Sequence, residues 1–359
     1  MIDISSFDEK TGAQLLAAAS HYGFLYISTR NTGFTPQLVS HQFAISKQTF
    51  SLPQSELQRC QIDSTNRGWT GMHGEILDPA HQTRGDFKEA FNIGEFTSTD
   101  DGDKKPQQPL PAPLSSNLDQ LAAFEARCVE VCNRVLDLLG LGLQVREAAF
   151  FSSRHTKPSG CTVRLLHYPA LPAGSDYRPE VDVRAGAHSD YGSCTLLFQR
   201  VGQPGLEIRT PEGGWASVPV IPDGYECERR DEHDSGDDDD DDEEDARLPP
   251  ILVNMGDLLS YWTNGLLKST VHRVIFPAET KSPAAGHDRY SIAYFCHPAN
   301  DTKLVAVPSE TVEARRLAAD EEIGYGGGAV KGEDARTLTA REHLVNRLEA
   351  TYGFRMNKG

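Results

Sequence analysis

A chain of 359 residues with 38% apolar content, three Trp, eleven Tyr and fifteen Phe is globular, not disordered, and long enough to bury a sizeable core. No stretch approaches the roughly 20 apolar residues that a membrane crossing needs, the opening MIDISSFDEKTG lacks a signal-peptide pattern, and FRMNKG carries no lipidation signal, so a cytoplasmic location and no membrane contact are expected. The net charge of −17 is local: the twelve acids of Asp231–Asp245, DEHDSGDDDDDDEED, account for all but −5 of it, which leaves no basic surface for nucleic acid.

Taken in chain order, IDISSF alternates and predicts a short strand, TGAQLLAAASHYG a helix that ends near Gly23, and FLYIST a strand. RNTGFTP breaks the chain, and QLVSHQFAISKQTFSL predicts a second helix stopped by Pro53. The segment from Asn66 to Phe96 is rich in loops, and DDGDKKPQQPLPAP is a proline-rich surface connection. From Asn117 to about Leu143 apolar residues recur at helical spacing, as in Leu121, Phe124, Val129, Val135, Leu136 and Leu139. From Cys161 the texture changes to short β-rich runs: CTVRLLHYPA, VRAGAHSD, SCTLLFQ, GLEIRT, WASVPVI, ILVNMGDLLSYW, STVHRVIF, RYSIAYFCHP and KLVAVP. Strands at such spacing predict a mainly β sandwich or barrel with flanking helices. A helix around ARTLTAREHLVNRLEATYG closes the chain. The expected organisation is one catalytic domain, with an N-terminal α/β region over 1–160, a β core over 161–308 and a helical region over 309–359.

The acidic run interrupts the β region, and like charges at that density repel, so a disordered insertion is expected at about 225–248. A solvated loop between two strands is the plain reading; a docking site for a basic partner is the other. Seven cysteines are scattered without metal-type pairs, and Cys128 and Cys132 share a helix face, which reads as reduced, buried thiols.

The chemistry concentrates in RAGAHSDYGSCTLLFQ, where His188 and Asp190 stand two apart in an extended segment and so share a face. STVHRVIF supplies His272 on a later strand. Two neutral imidazoles and one carboxylate on one face of an octahedron suit a non-haem Fe(II) centre, with positions left open for O2 and a co-substrate. Seventeen residues past His272, Arg289, Ser291, Ala293 and Phe295 share one face of RYSIAYF. A buried guanidinium with a hydroxyl two residues on is a clamp for a carboxylate.

With these residues in place, the chain resembles the iron(II)/2-oxoglutarate-dependent dioxygenases of the isopenicillin N synthase-like group over nearly its whole length. IDISSF, GFLYIS, NRGWTGMHGE and DFKEAFNIG are similar to the N-terminal region of that group; LLHYPA, AGAHSDYGSCTLLFQ, GLEIR, VNMGDLLSYWTNGLLKSTVHRV and RYSIAYFCHP are similar to its catalytic core. The resemblance implies a double-stranded β-helix (jelly-roll) core and His188, Asp190 and His272 as iron ligands. It also implies Arg289 and Ser291 on the distal carboxylate of 2-oxoglutarate, and Tyr168 of the Tyr-Pro pair as a further hydrogen bond to it. Three departures stand out. STRNTG replaces the usual Asn-His-Gly, Leu166 stands where an Asn is common, and Asp190 and His272 lie 82 apart. Removing about 25 residues around the acidic insertion restores an ordinary ligand spacing.

The implied activity is oxidation of a small-molecule metabolite, hydroxylation first and ring closure or desaturation as other outcomes at the same ligands, with O2 as co-substrate and succinate and CO2 as by-products. In TVRLLHYP, Arg164, Leu166 and Tyr168 alternate onto one face. Arg164, Tyr191 and Phe295 would then suit a small, flat, polar ring, stacked on Phe295 and hydrogen-bonded by Arg164. Phe295 as core and Arg164 as an ion-pair partner is the alternative. The core strings resemble most the branch that contains pyrimidine hydroxylases. Trp69 either covers substrate or packs the N-terminal part. Two other functions stay open: an iron oxidase of the oxidative-cyclase type that does not use 2-oxoglutarate, and a silent binding protein.

Overall fold

The computed structural model describes residues 1–98, 104–171, 175–178, 182–229, 247–276, 287–315, 322–324, 330–331 and 337–352. The expected acidic run, 231–245, lies outside them. What is described of its flanks corrects the expected boundary of a disordered insertion, because Glu228–Arg229 and Arg247–Leu248 pair antiparallel.

The first elements are α1 (Glu9–His21), β1 (Phe24–Ile27) and α2 (Pro36–Phe50). Asp8 caps α1 by accepting from the Thr11 amide at 2.8 Å, and Thr35 caps α2 ahead of Pro36. Gly23 turns the chain between α1 and β1 at φ +67°, where a side chain would be strained. The predicted strand at IDISSF shrinks to a single bridge between Ile2 and Ile27. Next come β2 (Gly68–Thr70), β3 (Glu89–Gly94) and the long helix α3 (Leu118–Gly142). A Cβ on Gly12 would come within 2.7 Å of the Leu138 carbonyl oxygen, so glycine there lets α1 lie directly against α3.

The second half contributes β4 (Thr162–Tyr168), β5 (Ala185–His188), β6 (Cys194–Gln199), β7 (Leu206–Arg209), β8 (Trp215–Ser217), the short pair β9 (Glu228–Arg229) and β10 (Arg247–Leu248), and β11 (Ile251–Met255). Helix α4 (Asp257–Trp262), β12 (His272–Val274), β13 (Arg289–Cys296) and helix α5 (Ala340–Tyr352) follow. Two expected strands are corrected. ILVNMGDLLSYW is a strand only to Met255 and then turns into α4. KLVAVP forms no strand, only a bridge from Lys303 to Thr339.

Seven strands form one sheet in the order β1-β11-β6-β13-β4-β3-β2, and four form a second in the order β8-β7-β12-β5. The mainly β core with flanking helices is therefore as expected. Along β13 the alternation sorts the side chains. Tyr290, Ile292, Tyr294 and Cys296 enter the core that holds α1, α2 and α3, whereas Arg289, Ser291, Ala293 and Phe295 face a cavity. Along β4, Val163 and Leu165 join the helical side, and Thr162, Arg164, Leu166 and Tyr168 face the cavity. One face of the large sheet is thus buried by helices and the other lines a chamber. Cys128 and Cys132 are buried and unpaired, as expected. No helix among the described residues is long and apolar enough to cross a membrane.

Candidate active site

His188 ends β5 and His272 opens β12, and antiparallel pairing sets the two directly opposite each other. Asp190 lies two residues past β5. Its Oδ1 is 3.9 Å from His188 Nε2 and 3.7 Å from His272 Nε2. One ligand atom from each of the three residues falls within 4.8 Å of the others.

Each ring and the carboxylate is aimed by the groups behind it. His188 Nδ1 lies 2.8 Å from the Gly186 carbonyl oxygen and His272 Nδ1 lies 3.1 Å from that of Thr270, which turns both Nε2 atoms toward Asp190. Asp190 Oδ2 accepts from Thr195 Oγ1 at 2.6 Å and from Asn254 Nδ2 at 2.7 Å, so Oδ1 is the oxygen left to the histidines. Burial, then repulsion from His272, pushes the His188 pKa down to about 3. Burial opposes the charge on Asp190, but His272, His188, Asn254 and Thr195 together outweigh it and hold its pKa below the ordinary carboxylate value. At neutral pH His188 is therefore neutral and Asp190 ionised, the states a metal ligand needs. The donor set, two imidazole nitrogens and one carboxylate oxygen, fits ferrous iron.

Along the same wall, Arg289 is 1% exposed and Ser291 equally buried. The guanidinium donates at 3.3 Å to Ser291 Oγ, at 3.2 Å to Gln199 Oε1 and at 3.2 Å to the Gln203 carbonyl oxygen, and lies 4.9 Å from the Tyr168 ring centroid. Among the described residues no carboxylate pairs with it, and burial pulls its pKa down. A buried cation with neutral partners is a receptor for an anion.

Nine of the residues singled out in the sequence line this chamber: Arg164, Tyr168, His188, Asp190, Tyr191, His272, Arg289, Ser291 and Phe295. Two carry added ties. Arg164 faces the cavity and pairs with Glu75 at 2.8 Å, the ion-pair contact of the alternative reading. The Tyr191 hydroxyl is 2.5 Å from Thr351 Oγ1 on α5, and its ring lies 4.7 Å from the Arg347 guanidinium, so it presents its ring and not its hydroxyl. Trp69 does not line the chamber; it is buried in the helical core and donates to Glu89 at 3.0 Å.

Among the lining residues that sequence reasoning missed are Asn66, Glu75, Lys88 and Asn92. Asn92 stands beside Arg164 in the β3–β4 register, and its Oδ1 is buried without a partner while its Nδ2 donates to Asn66. The alternation of EAFNIG, with Phe91 and Ile93 on the core side, was the signal that could have found Asn92. Lys88 Nζ lies 2.7 Å from Glu75 Oε2 and also contacts Asp86. Burial works against its charge, but Asp86 and Glu75 prevail and raise its pKa.

Residues 1–113 match the family described as non-haem dioxygenase in morphine synthesis N-terminal, and residues 231–298 match the 2OG-Fe(II) oxygenase superfamily. The chain is 32% identical to the UPF0676 protein C1494.01 of Schizosaccharomyces pombe, over 98% of its own length and 92% of that protein. It is 28% identical to the 2-oxoglutarate-dependent dioxygenase htyE of Aspergillus rugulosus, over 95% and 93% of the two chains. The crystal structure of full-length Neurospora crassa thymine-7-hydroxylase with alpha-KG and thymine superposes with a TM-score of 0.70 at 28% identity, covering 97% of this chain and 96% of that one.

Proposed function

Because this chain belongs to the 2OG-Fe(II) oxygenase superfamily and is an Fe(II)- and 2-oxoglutarate-dependent dioxygenase, we propose that it hydroxylates an uncharged, pyrimidine-like ring in the chamber between its two sheets. The observation that carries the reading is the convergence of His188 Nε2, Asp190 Oδ1 and His272 Nε2 in the same cavity as the Arg289–Ser291 pair.

His188, Asp190 and His272 would hold the iron, and Arg289, Ser291 and Tyr168 the distal carboxylate of 2-oxoglutarate. When bound, iron and 2-oxoglutarate supply O2 activation, releasing succinate and CO2 and providing one oxygen atom for the substrate. Thr195 and Asn254 donate to Asp190 Oδ2 and leave Oδ1 for the metal, and the carbonyls of Gly186 and Thr270 keep both imidazoles in the required orientation. Asn254→Leu removes one donor from Asp190 and is expected to weaken Fe(II) binding about 10- to 100-fold, read by anaerobic metal titration; unchanged affinity would deny that bond a role.

Substrate recognition rests on the chamber wall. Asn92 and Arg164 are neighbours on adjacent strands, with Ala293 opposite Arg164 on the next. Their side chains offer an acceptor, Asn92 Oδ1, beside a guanidinium donor, with the Phe295 ring near them. A ring with an N–H next to a carbonyl complements that pair, and the small Ala293 leaves it room. The likeness to a thymine-7-hydroxylase structure that contains thymine supports the same ring class. A screen of small metabolites against the anaerobic Fe(II)–2-oxoglutarate protein, followed by O2 and a succinate readout, tests this, with pyrimidines first. Arg164→Ala is expected to raise the KM for the ring roughly tenfold or more while sparing that for 2-oxoglutarate. Identical substrate kinetics in the variant would retire the role. Turnover without 2-oxoglutarate would instead favour the oxidative-cyclase reading.

A cytosolic setting belongs to the same proposal, supported by seven unpaired cysteines that suit a reducing compartment. A basic partner for the acidic run 231–245 rests on its charge alone.

A further inference from the structure

The chamber holds three charged side chains that neither the iron ligands nor the 2-oxoglutarate clamp uses: Glu75, Lys88 and Arg164. They form one network. Glu75 Oε2 is 2.7 Å from Lys88 Nζ and 2.8 Å from Arg164 Nη2, so a single carboxylate oxygen is shared by two cations. Lys88 also touches Asp86, whose Oδ1 accepts from the Gly186 amide at 3.0 Å and from Gln82 Nε2 at 2.7 Å. The Glu75, Lys88 and Asp86 side chains are each 3% exposed or less, and Arg164 is 11% exposed. Among the described residues two cations and two carboxylates thus face each other, and the charges of these four side chains balance.

An ionic substrate entering that space would lose its hydration and meet a lysine and an arginine already matched by carboxylates. An uncharged polar ring pays no such penalty. We propose that Glu75 is a specificity-determining residue, which neutralises Lys88 and Arg164 and thereby restricts the chamber to uncharged substrates and shuts out ring carboxylates. The inference deepens the ring-hydroxylase reading and rests on it, but it makes a separate claim. Discrimination follows the net charge of the network, and not the identity of any one of its side chains.

Charge compensation tests it. Matched neutral, carboxylated and amino-bearing rings, one pyrimidine set and one benzenoid set, are compared by substrate-stimulated succinate formation. The same compounds are compared by the rise in Tm they give the metal-free protein. Wild type should prefer the neutral members. Glu75→Gln leaves one unbalanced positive charge and should raise the carboxylated-to-neutral ratio about tenfold or more. Glu75→Gln combined with Lys88→Gln removes one charge of each sign and should return that ratio toward wild type. Lys88→Gln alone leaves a negative excess and should favour the amino-bearing member, so it tests the rule even if Glu75→Gln does not fold. A wild type that takes carboxylated and neutral rings equally overturns the inference. So do ratios that fail to move in the single variants, or that stay shifted in the double. Charge order obeyed by the benzenoid set alone would discard the pyrimidine reading and keep this one. Pyrimidine turnover with no charge order would do the reverse, and silence toward every ring would remove both.

Discussion

Asp190→Ala is expected to abolish substrate-dependent succinate formation and to weaken Fe(II) binding by more than the roughly 100-fold that loss of an outer partner alone can cost. Asp190 is the one carboxylate in the triad, and its Oδ1 faces both imidazoles at 3.7 and 3.9 Å. Without it the ion loses a ligand and the only negative charge the triad supplies. Thr195 Oγ1 and Asn254 Nδ2 lose the acceptor they share as well. Two imidazoles on opposed strands then remain, one ligand short of the three-member face that suits ferrous iron. Asp190→Asn separates the two effects, since it keeps the shape and removes the charge. Equilibrium dialysis of anaerobic Fe(II) reads binding, and the succinate assay reads turnover. Full activity in either variant would show that the iron sits elsewhere.

The triad was legible because its geometry is a consequence of strand periodicity. His188 and Asp190 share a face by being two apart, and His272 reaches them because β12 pairs with β5 in the register that sets the histidines opposite. The row Arg289, Ser291, Ala293 and Phe295 was legible for the same reason, since the four alternate along one face of β13. Glu75 and Lys88 were not. They lie outside any strand or helix, where no period says which way a side chain points, and only the tertiary fold brings them to Arg164. Helix α4 was hidden by the opposite difficulty. All six of its residues are buried, so its apolar run has no polar face to distinguish a helix from a buried strand. The role of α5 was out of reach too. Arg347 pairs with Asp257 at 3.1 Å, and Leu344 and Leu348 close one wall of the chamber, contacts made across some ninety residues of sequence.

Arg289→Ala is expected to raise the KM for 2-oxoglutarate at least about 30-fold, the equivalent of losing roughly 2 of the 2–5 kcal/mol that truncating a buried, hydrogen-bonded charge pair costs. The size follows from where the guanidinium sits. It is 1% exposed, its hydrogen bonds to Ser291, Gln199 and Gln203 are all 3.2 Å or longer, and none of those partners is charged. Burial already presses against its positive charge. A dicarboxylate that reaches it with its free end supplies the missing anion in a water-poor space, where a forked, charge-assisted contact is strongest. In the alanine variant that carboxylate would be buried with Ser291 and the Tyr168 hydroxyl as its remaining donors. Arg289→Lys restores the charge but not the planar fork and should fall between the two. Because the contact is remote from the bond that breaks, kcat at saturating 2-oxoglutarate should change far less than KM. An unchanged KM would mean that the co-substrate does not reach Arg289 at all.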